Sequence, residues 1–230
     1  MKSNLTVSVV IPVLDDLDAL ATTLEEFRSA RIDPDEIIII DGGHDSDCAS
    51  LALRYHCIYL RTRPVRGYQL HAGARCASGD VIWFLHADAH PPVSAIALIR
   101  DQIAAGAIGG YFQFRFAGQQ TWYKRLLTWF INIRTRFGVP YGDQGLFIRT
   151  SSYATTGGFP DFPLFEEVSL VKAARSDGRF VEIDTPIGVS PRRWEQDGWL
   201  RRTLANRLLA LGYMLGISPQ TLARRYRTKC

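Results

Sequence analysis

Apolar residues in the first part of the chain come in short β-branched bursts separated by helical stretches. Val7–Leu14 is the first burst, and a helical pattern follows to about Ala30. Glu36–Ile40 sets four isoleucines behind a glutamate and ends in Asp41-Gly42-Gly43. A continuous apolar run bounded by turn residues reads as a parallel strand buried on both faces. Asp45–Tyr55 reads as helix, Cys57–Arg61 as a third strand and Gly67–Ala77 as a helix of small residues. After the Gly79-Asp80 turn, Val81–Leu85 is a fourth strand running into His86-Ala87-Asp88. This strand–helix alternation predicts an α/β fold with a doubly wound, mostly parallel sheet.

The second half is less regular. Ile108–Phe116 alternates apolar and polar positions, as an antiparallel strand would. Thr121–Phe137 is aromatic and helical, Leu146–Arg149 a short strand, Glu166–Ser176 a helix and Phe180–Ile183 a strand. The last forty residues read as helices. The predicted division is one α/β domain over residues 1–191, with basic amphipathic helices over 192–230 packed on it.

With 230 residues, 47% apolar and 22% charged, the chain has material for a sizeable core, and disordered, collagenous and coiled-coil classes are excluded. Cys48, Cys57, Cys76 and Cys230 form no CxxC pair, which argues against a disulfide scaffold or zinc ribbon and for a cytoplasmic setting. No signal peptide is evident. The longest late apolar run, Leu208–Ile217, is about half of the roughly 20 residues that span a bilayer. The net charge of +4 is uneven: residues 191–230 hold nine basic and two acidic side chains, and the remainder is slightly acidic. Such a tail suits phosphate, an anionic membrane, nucleic acid or simple solvation. No nucleic-acid-binding motif appears, so nucleic acid is not an expected partner.

Three acids follow predicted strands: Asp15, Asp41 and Asp88. In an open parallel sheet these tips share one edge, where ligands bind. A carboxylate there accepts hydrogen bonds from a base or ribose, or holds a hard cation bridging phosphates; a strand-end Asp also simply caps the next helix. Glu166-Glu167 opens a helix after a Gly/Pro loop, a place that suits either macrodipole compensation or a general base. In Gly142-Asp143-Gln144-Gly145, two glycines permit a tight turn, plain or aiming Asp143 and Gln144 at one site to position sugar or acceptor.

Taken in order, SVVIPVLD (Ser8–Asp15), IIIIDGG (Ile37–Gly43), AGAR (Ala72–Arg75) with Gly79-Asp80, His86-Ala87-Asp88, and Gly157-Gly158-Phe159 before Glu166-Glu167 resemble glycosyltransferase family 2. The resemblance runs from residue 7 to about 175. It is nearest to short bacterial members that share YGDQG-like (Tyr141–Gly145) and RRWEQ-like (Arg192–Gln196) segments. It implies a GT-A fold and a hexosyltransferase that moves a sugar from a UDP- or GDP-sugar to an acceptor hydroxyl, with inversion. By the same resemblance, Pro12 and Asp15 line the nucleotide pocket, Asp41 binds base or ribose, and Arg66 approaches the nucleotide or diphosphate. Asp88 matches the last acid of the DXD motif that holds Mn2+ or Mg2+, and Glu167, beside Glu166, matches the general base. Arg193 and Trp194 match the end of a QxxRW-like motif near diphosphate and acceptor.

Two positions depart from the family pattern. His86 stands where DXD has its first Asp, and as a metal ligand it suits Mn2+ better than Mg2+. Ser190 replaces the Gln of QxxRW, which argues against processive synthesis. A nucleotidyltransferase and a non-catalytic nucleotide-sugar binding module are the competing readings. Finally, Trp122, Leu126, Trp129, Ile133 and Phe137, and Leu200, Leu204, Leu208, Leu211 and Leu215, repeat at helical spacing among basic residues. Such stripes pack into a core or, with Trp and Arg on one helix, meet an anionic lipid interface. In the second case the protein is peripheral at the inner face of the membrane, and a lipid-linked acceptor fits.

Overall fold

The computed structural model describes residues 5–43 and 47–227. Asp45, where the second helix was expected to begin, and Cys230 lie outside the described residues. Strands β1 (Val7–Val13), β2 (Glu36–Asp41), β3 (Ile58–Arg61) and β4 (Val81–Phe84) are separated by helices α1 (Leu17–Ser29), α2 (Asp47–Arg54) and α3 (Arg66–Cys76). They pair in parallel in the order β3-β2-β1-β4. The strand order reverses between β1 and β4, and ligand crevices in open α/β sheets form at such points.

The alternation of side chains explains why these strands form the centre. Val7, Val9, Ile11 and Val13 of β1 join Ile39, Val81 and Trp83 in one core layer. Val10 joins Ile38, Ile40, Ile82 and Phe84 in the other, with Leu70 and Ala74 of α3. Both faces are dry. Each such side chain contributes about 1.5–3 kcal/mol of burial, so a one-residue slip of register exchanges the two layers throughout.

The second half completes a mixed eight-stranded sheet. It adds β5 (Ala89–His90), α4 (Ala95–Ala104), β6 (Gly109–Phe116), α5 (Trp122–Phe137), β7 (Phe147–Arg149), α6 (Thr150–Thr155), α7 (Glu167–Asp177) and β8 (Phe180–Val189). β6 is antiparallel to β7, as its alternation suggested, and parallel to β8 on its other side. β8 runs well past Ile183, because the register shifts from Phe112↔Ile183 to Gln113↔Pro186. The bulged Asp184-Thr185 pair and Pro186, which has no N–H to give, hide the continuation from the alternation pattern.

Three helices follow: α8 (Arg192–Asp197), α9 (Trp199–Met214) and α10 (Pro219–Arg227). Trp194 and Trp199 pack on Phe114, Phe116 and Val189, with Leu127 and Ile131 of α5. No helix among the described residues is long and apolar enough to cross a membrane. The two apolar stripes face outward. Trp122, Trp129 and Phe137 on α5, and Leu200, Leu204, Leu208 and Leu211 on α9, are exposed.

Candidate functional site

The carboxyl ends of the parallel strands carry the expected acids. At the β1–β2 end, Asp41 is buried. Its Oδ1 accepts from the Gly43 N–H (2.7 Å) and its Oδ2 from the Tyr59 hydroxyl (2.9 Å). Burial, with the Asp41 carboxylate beside it, pushes the Tyr59 phenol up to about 12. Asp15 is exposed at φ 50°, a left-handed conformation that few non-glycine residues adopt. A Cβ on Gly43 would lie 2.5 Å from Asp15 Oδ1 and 3.2 Å from Asp41 Oδ1. The missing side chain therefore lets both carboxylates share one patch. Gln69 of α3 sutures the strand ends beneath it, donating to the Val13 and Ile40 carbonyls at 2.9 Å each. Pro12 lies beside Ile40 in the β1–β2 register and belongs to this end.

A second constellation lines a cavity of about 210 Å³ between the end of β4, the loop before α7 and the C-terminal helices. Arg66, His86, Asp88, Asp143, Glu166, Glu167, Arg193 and Trp194 all reach it. Arg66 opens α3; its Nε lies 2.8 Å from Glu166 Oε1, and its Nη2 donates to His86 Nε2. Gly142 makes that arrangement possible, since a Cβ there would sit 2.5 Å from Arg66 Nη2. The loop that delivers the glutamates is tied to the same helix. The Gly67 N–H donates to the Phe162 carbonyl (2.9 Å), at a packing so close that a Cβ on Gly67 would meet the Pro160 carbonyl at 2.0 Å. Phe165, at φ 59°, then turns the chain into α7. Glu166 and Glu167 are both buried there.

Burial dominates the electrostatics of this cavity. Desolvation, reinforced by the neighbouring charge of Glu166, pushes the Glu167 carboxyl up to about 8. Desolvation also raises Asp143, against the opposing charges of Arg134 and Arg66. Burial, with the Arg66 and Arg193 guanidinia nearby, holds His86 well below its ordinary value and so uncharged near neutral pH. The two ends of the cleft are linked through Arg192. It grips both oxygens of Asp16, and its pKa is raised chiefly by that hydrogen bond, with a further contribution from the charge of Asp88.

Asp143 and Gln144 do not aim at one site. They occupy a short 3-10 turn (Gly142–Gln144), in which successive residues point about 120° apart. Asp143 lines the cavity, while Gln144 is fully buried and donates to the Phe112 carbonyl at 3.1 Å. Trp194 lines the cavity and also stacks edge-on against Phe116 at 5.0 Å.

The sequence reading did not include Arg202, Asn206 and Leu209 of α9, which form one wall of the cavity. Arg202 is buried and pairs with Asp197 Oδ2 at 3.0 Å. The signal was present: these positions repeat at helical spacing on the side of α9 opposite its leucine stripe.

Among the described residues no group of three or more His, Cys, Asp or Glu side chains is gathered to hold a metal ion. His86 Nε2, expected as a ligand, is here the partner of Arg66. Asp88 is a half-buried, hard carboxylate that lines the same cavity as Arg66 and Arg193. That donor set suits a divalent cation whose other ligands are phosphate oxygens and water.

Comparison with known proteins agrees with this picture. The sequence profile of glycosyl transferase family 2 matches residues 8–158. Two uncharacterized glycosyltransferases of Mycobacterium tuberculosis are each 37% identical over 93 residues, covering 37% of this chain and 35% of theirs. The match thus spans about a third of the length of these curated relatives. A mannosyltransferase from Pyrobaculum calidifontis, solved with GDP-Man and Mn2+, superposes with a TM-score of 0.66 at 16% identity, over 94% of this chain and 66% of that one. Glucosyl-3-phosphoglycerate synthase from Mycobacterium tuberculosis, solved with Mn2+, UDP and glucosyl-3-phosphoglycerate, gives 0.61 at 18% identity, over 91% and 80%. At these identities the likeness is one of fold.

Proposed function

Because the chain belongs to glycosyl transferase family 2, we propose that its cleft takes a nucleoside-diphosphate sugar and passes the sugar to an acceptor hydroxyl with inversion. The observation that carries this reading is the cavity in which a buried glutamate of raised proton affinity faces two guanidinium groups. Asp15 and Asp41 are the donor's base and ribose end. Arg66 and Arg193 sit where a departing diphosphate would gather negative charge, and fixed cations in a dry site are the strongest way to offset it.

The two glutamates divide the work. Glu166 is committed to Arg66 at 2.8 Å. Glu167 holds its proton up to about 8, and its ionised form is the base that removes the acceptor's proton as the hydroxyl attacks the anomeric carbon, so turnover is expected to climb as pH rises toward that value. Attack opposite the leaving diphosphate inverts that carbon. Asp143 and Trp194 line the same space and hold the sugar or the acceptor.

The two solved structures named above were determined in complex with Mn2+ and a nucleotide or nucleotide sugar. Here Asp88 would be the protein's ligand for such a cation, which would neutralise diphosphate charge.

The test is a panel of UDP- and GDP-sugars with Mn2+ or Mg2+, read by release of nucleoside diphosphate and by thermal shift. Glu167→Gln is expected to bind the nucleoside diphosphate like the parent while losing about 10²–10⁴ in turnover. Full activity in that variant removes Glu167 from the base role.

A further inference from the structure

Among the described residues, sixteen large apolar side chains are exposed, and eleven of these stand on α5, on α9 or at Leu215 just after α9. They are not scattered around the two helices. On α9, Leu200, Leu204, Leu208, Leu211, Met214 and Leu215 form one outward stripe, with exposed Arg201 and Arg207 at its borders. On α5, Trp122, Leu126, Trp129, Phe130 and Phe137 form another, with exposed Arg125 and Arg136 at its border. Neither helix contains an Asp or Glu.

The two helices are neighbours. Tyr123 of α5 packs on Trp199 of α9 with ring centroids 4.9 Å apart, and Lys124 Nζ lies 5.6 Å from the centre of the same indole. Toward the other end, Arg134 lies over Tyr141, Tyr141 meets Phe165, and Phe165 stacks on Tyr213 at 4.7 Å. Inward-facing residues of both helices are thus spent on the body of the protein, while the outward leucines stay exposed and exposed Trp122 and Trp129 lie edge-on to their chain neighbours Tyr123 (5.8 Å) and Phe130 (4.9 Å).

We propose that the outward faces of α5 and α9 are a docking surface for an anionic lipid bilayer. Isolated exposed apolar residues are ordinary, but two such stripes on touching helices mark an interaction site. The chemistry of the set selects the partner. Tryptophan and leucine on the apolar face, arginine at its edges and no acid on either helix are what a helix lying in the plane of a charged headgroup layer requires. A second copy of this chain would present the same arginines to one another, which charge disfavours.

Docking itself does not depend on the transfer reading. What does rest on that reading is its consequence for substrate. The opposite side of α9 gives Arg202, Asn206 and Leu209 to the catalytic cavity, so a docked enzyme holds that cavity beside the membrane surface. The acceptor hydroxyl then belongs to a membrane-resident amphiphile.

The experiment is flotation of the full chain with phosphatidylcholine vesicles and with the same vesicles doped with phosphatidylglycerol. The expected result is flotation with the doped vesicles, about tenfold weaker binding to the neutral ones, and loss of binding at high salt. Leu204→Ser combined with Leu208→Ser and Leu211→Ser should lower partitioning by more than about tenfold. Arg207→Glu should lower it by about fivefold or more on doped vesicles alone. All these positions are exposed, so melting temperature, nucleoside-diphosphate binding and donor hydrolysis without lipid should stay at parental values. Those readouts separate a failure of docking from a failure of the transfer reading. No flotation, or equal flotation on neutral and doped vesicles at any salt, overturns the proposal. So does a dimer in sedimentation equilibrium that the leucine substitutions dissolve while lipid binding is absent.

Discussion

The two ends of the cleft hold their acids in opposite ways. At the β1–β2 end, Asp41 is buried but satisfied, with an N–H on one oxygen and a phenol on the other. At the α7 end, two adjacent glutamates, Asp143 and an uncharged His86 crowd around Arg66, and the proton affinities of Glu167 and Asp143 are raised. The first end is finished by the protein's own donors, as a recognition surface should be. The second is left electrostatically incomplete, and perturbed ionisation of this kind gathers where protons and charge are moved.

The comparison is sharpened most by the pH dependence of stability. Between the ordinary glutamate value and about 8, the unfolded chain has lost a proton that Glu167 keeps in the fold. Stability therefore falls as pH rises through this window, and the loss is complete above it. Glu167→Gln carries no such penalty. Its stability relative to the parent should rise from pH 4.5 to pH 8 by an amount on the order of several kcal/mol. Denaturant melts of both proteins at the two pH values measure this, and a constant difference would mean that the α7 end is no more strained than the β1–β2 end.

A smaller effect is expected from Arg66→Met. It leaves Glu166 as a buried carboxylate without its cation and His86 without its donor, at a cost of about 3 kcal/mol. Chemical denaturation measures it at neutral pH. The smallest effect belongs to the satisfied end. Tyr59→Phe removes one neutral donor from Asp41 and should cost about 1 kcal/mol, with donor binding weakened by less than about tenfold. If Tyr59→Phe proves costlier than Arg66→Met, the contrast between the two ends is inverted.

How much of this was legible in the sequence follows the same divide. The parallel half could be read because each strand is buried on both faces: Ile38 and Ile40 face one layer and Ile39 the other, so an unbroken apolar run has one meaning. The strand-end positions of Asp41 and Asp88 followed from that register. Glu166 and Glu167 were visible as a helix start, but their burial was not, since it comes from a loop fixed by the contact of Gly67 with Pro160 and Phe162. The stretch after Asp88 had no assignment, although β5 and α4 lie there; α4 buries Ile96, Ile99 and Ile103 at helical spacing. Gln144 looked like a partner of Asp143 because sequence adjacency does not reveal the rotation of a 3-10 turn. The leucines of α9 suggested a core as readily as a lipid face, because periodicity reports that a helix has two sides and not which one meets water.

The stacking of Tyr213 on Phe165 has a consequence for synthesis. One wall of the cavity and the brace behind its glutamates come from α9, which follows the last strand of the sheet in the chain. A nascent polypeptide whose sheet has already folded still has an open, half-walled cleft. The cavity is therefore expected to close only once α9 has folded back so that Tyr213 meets Phe165.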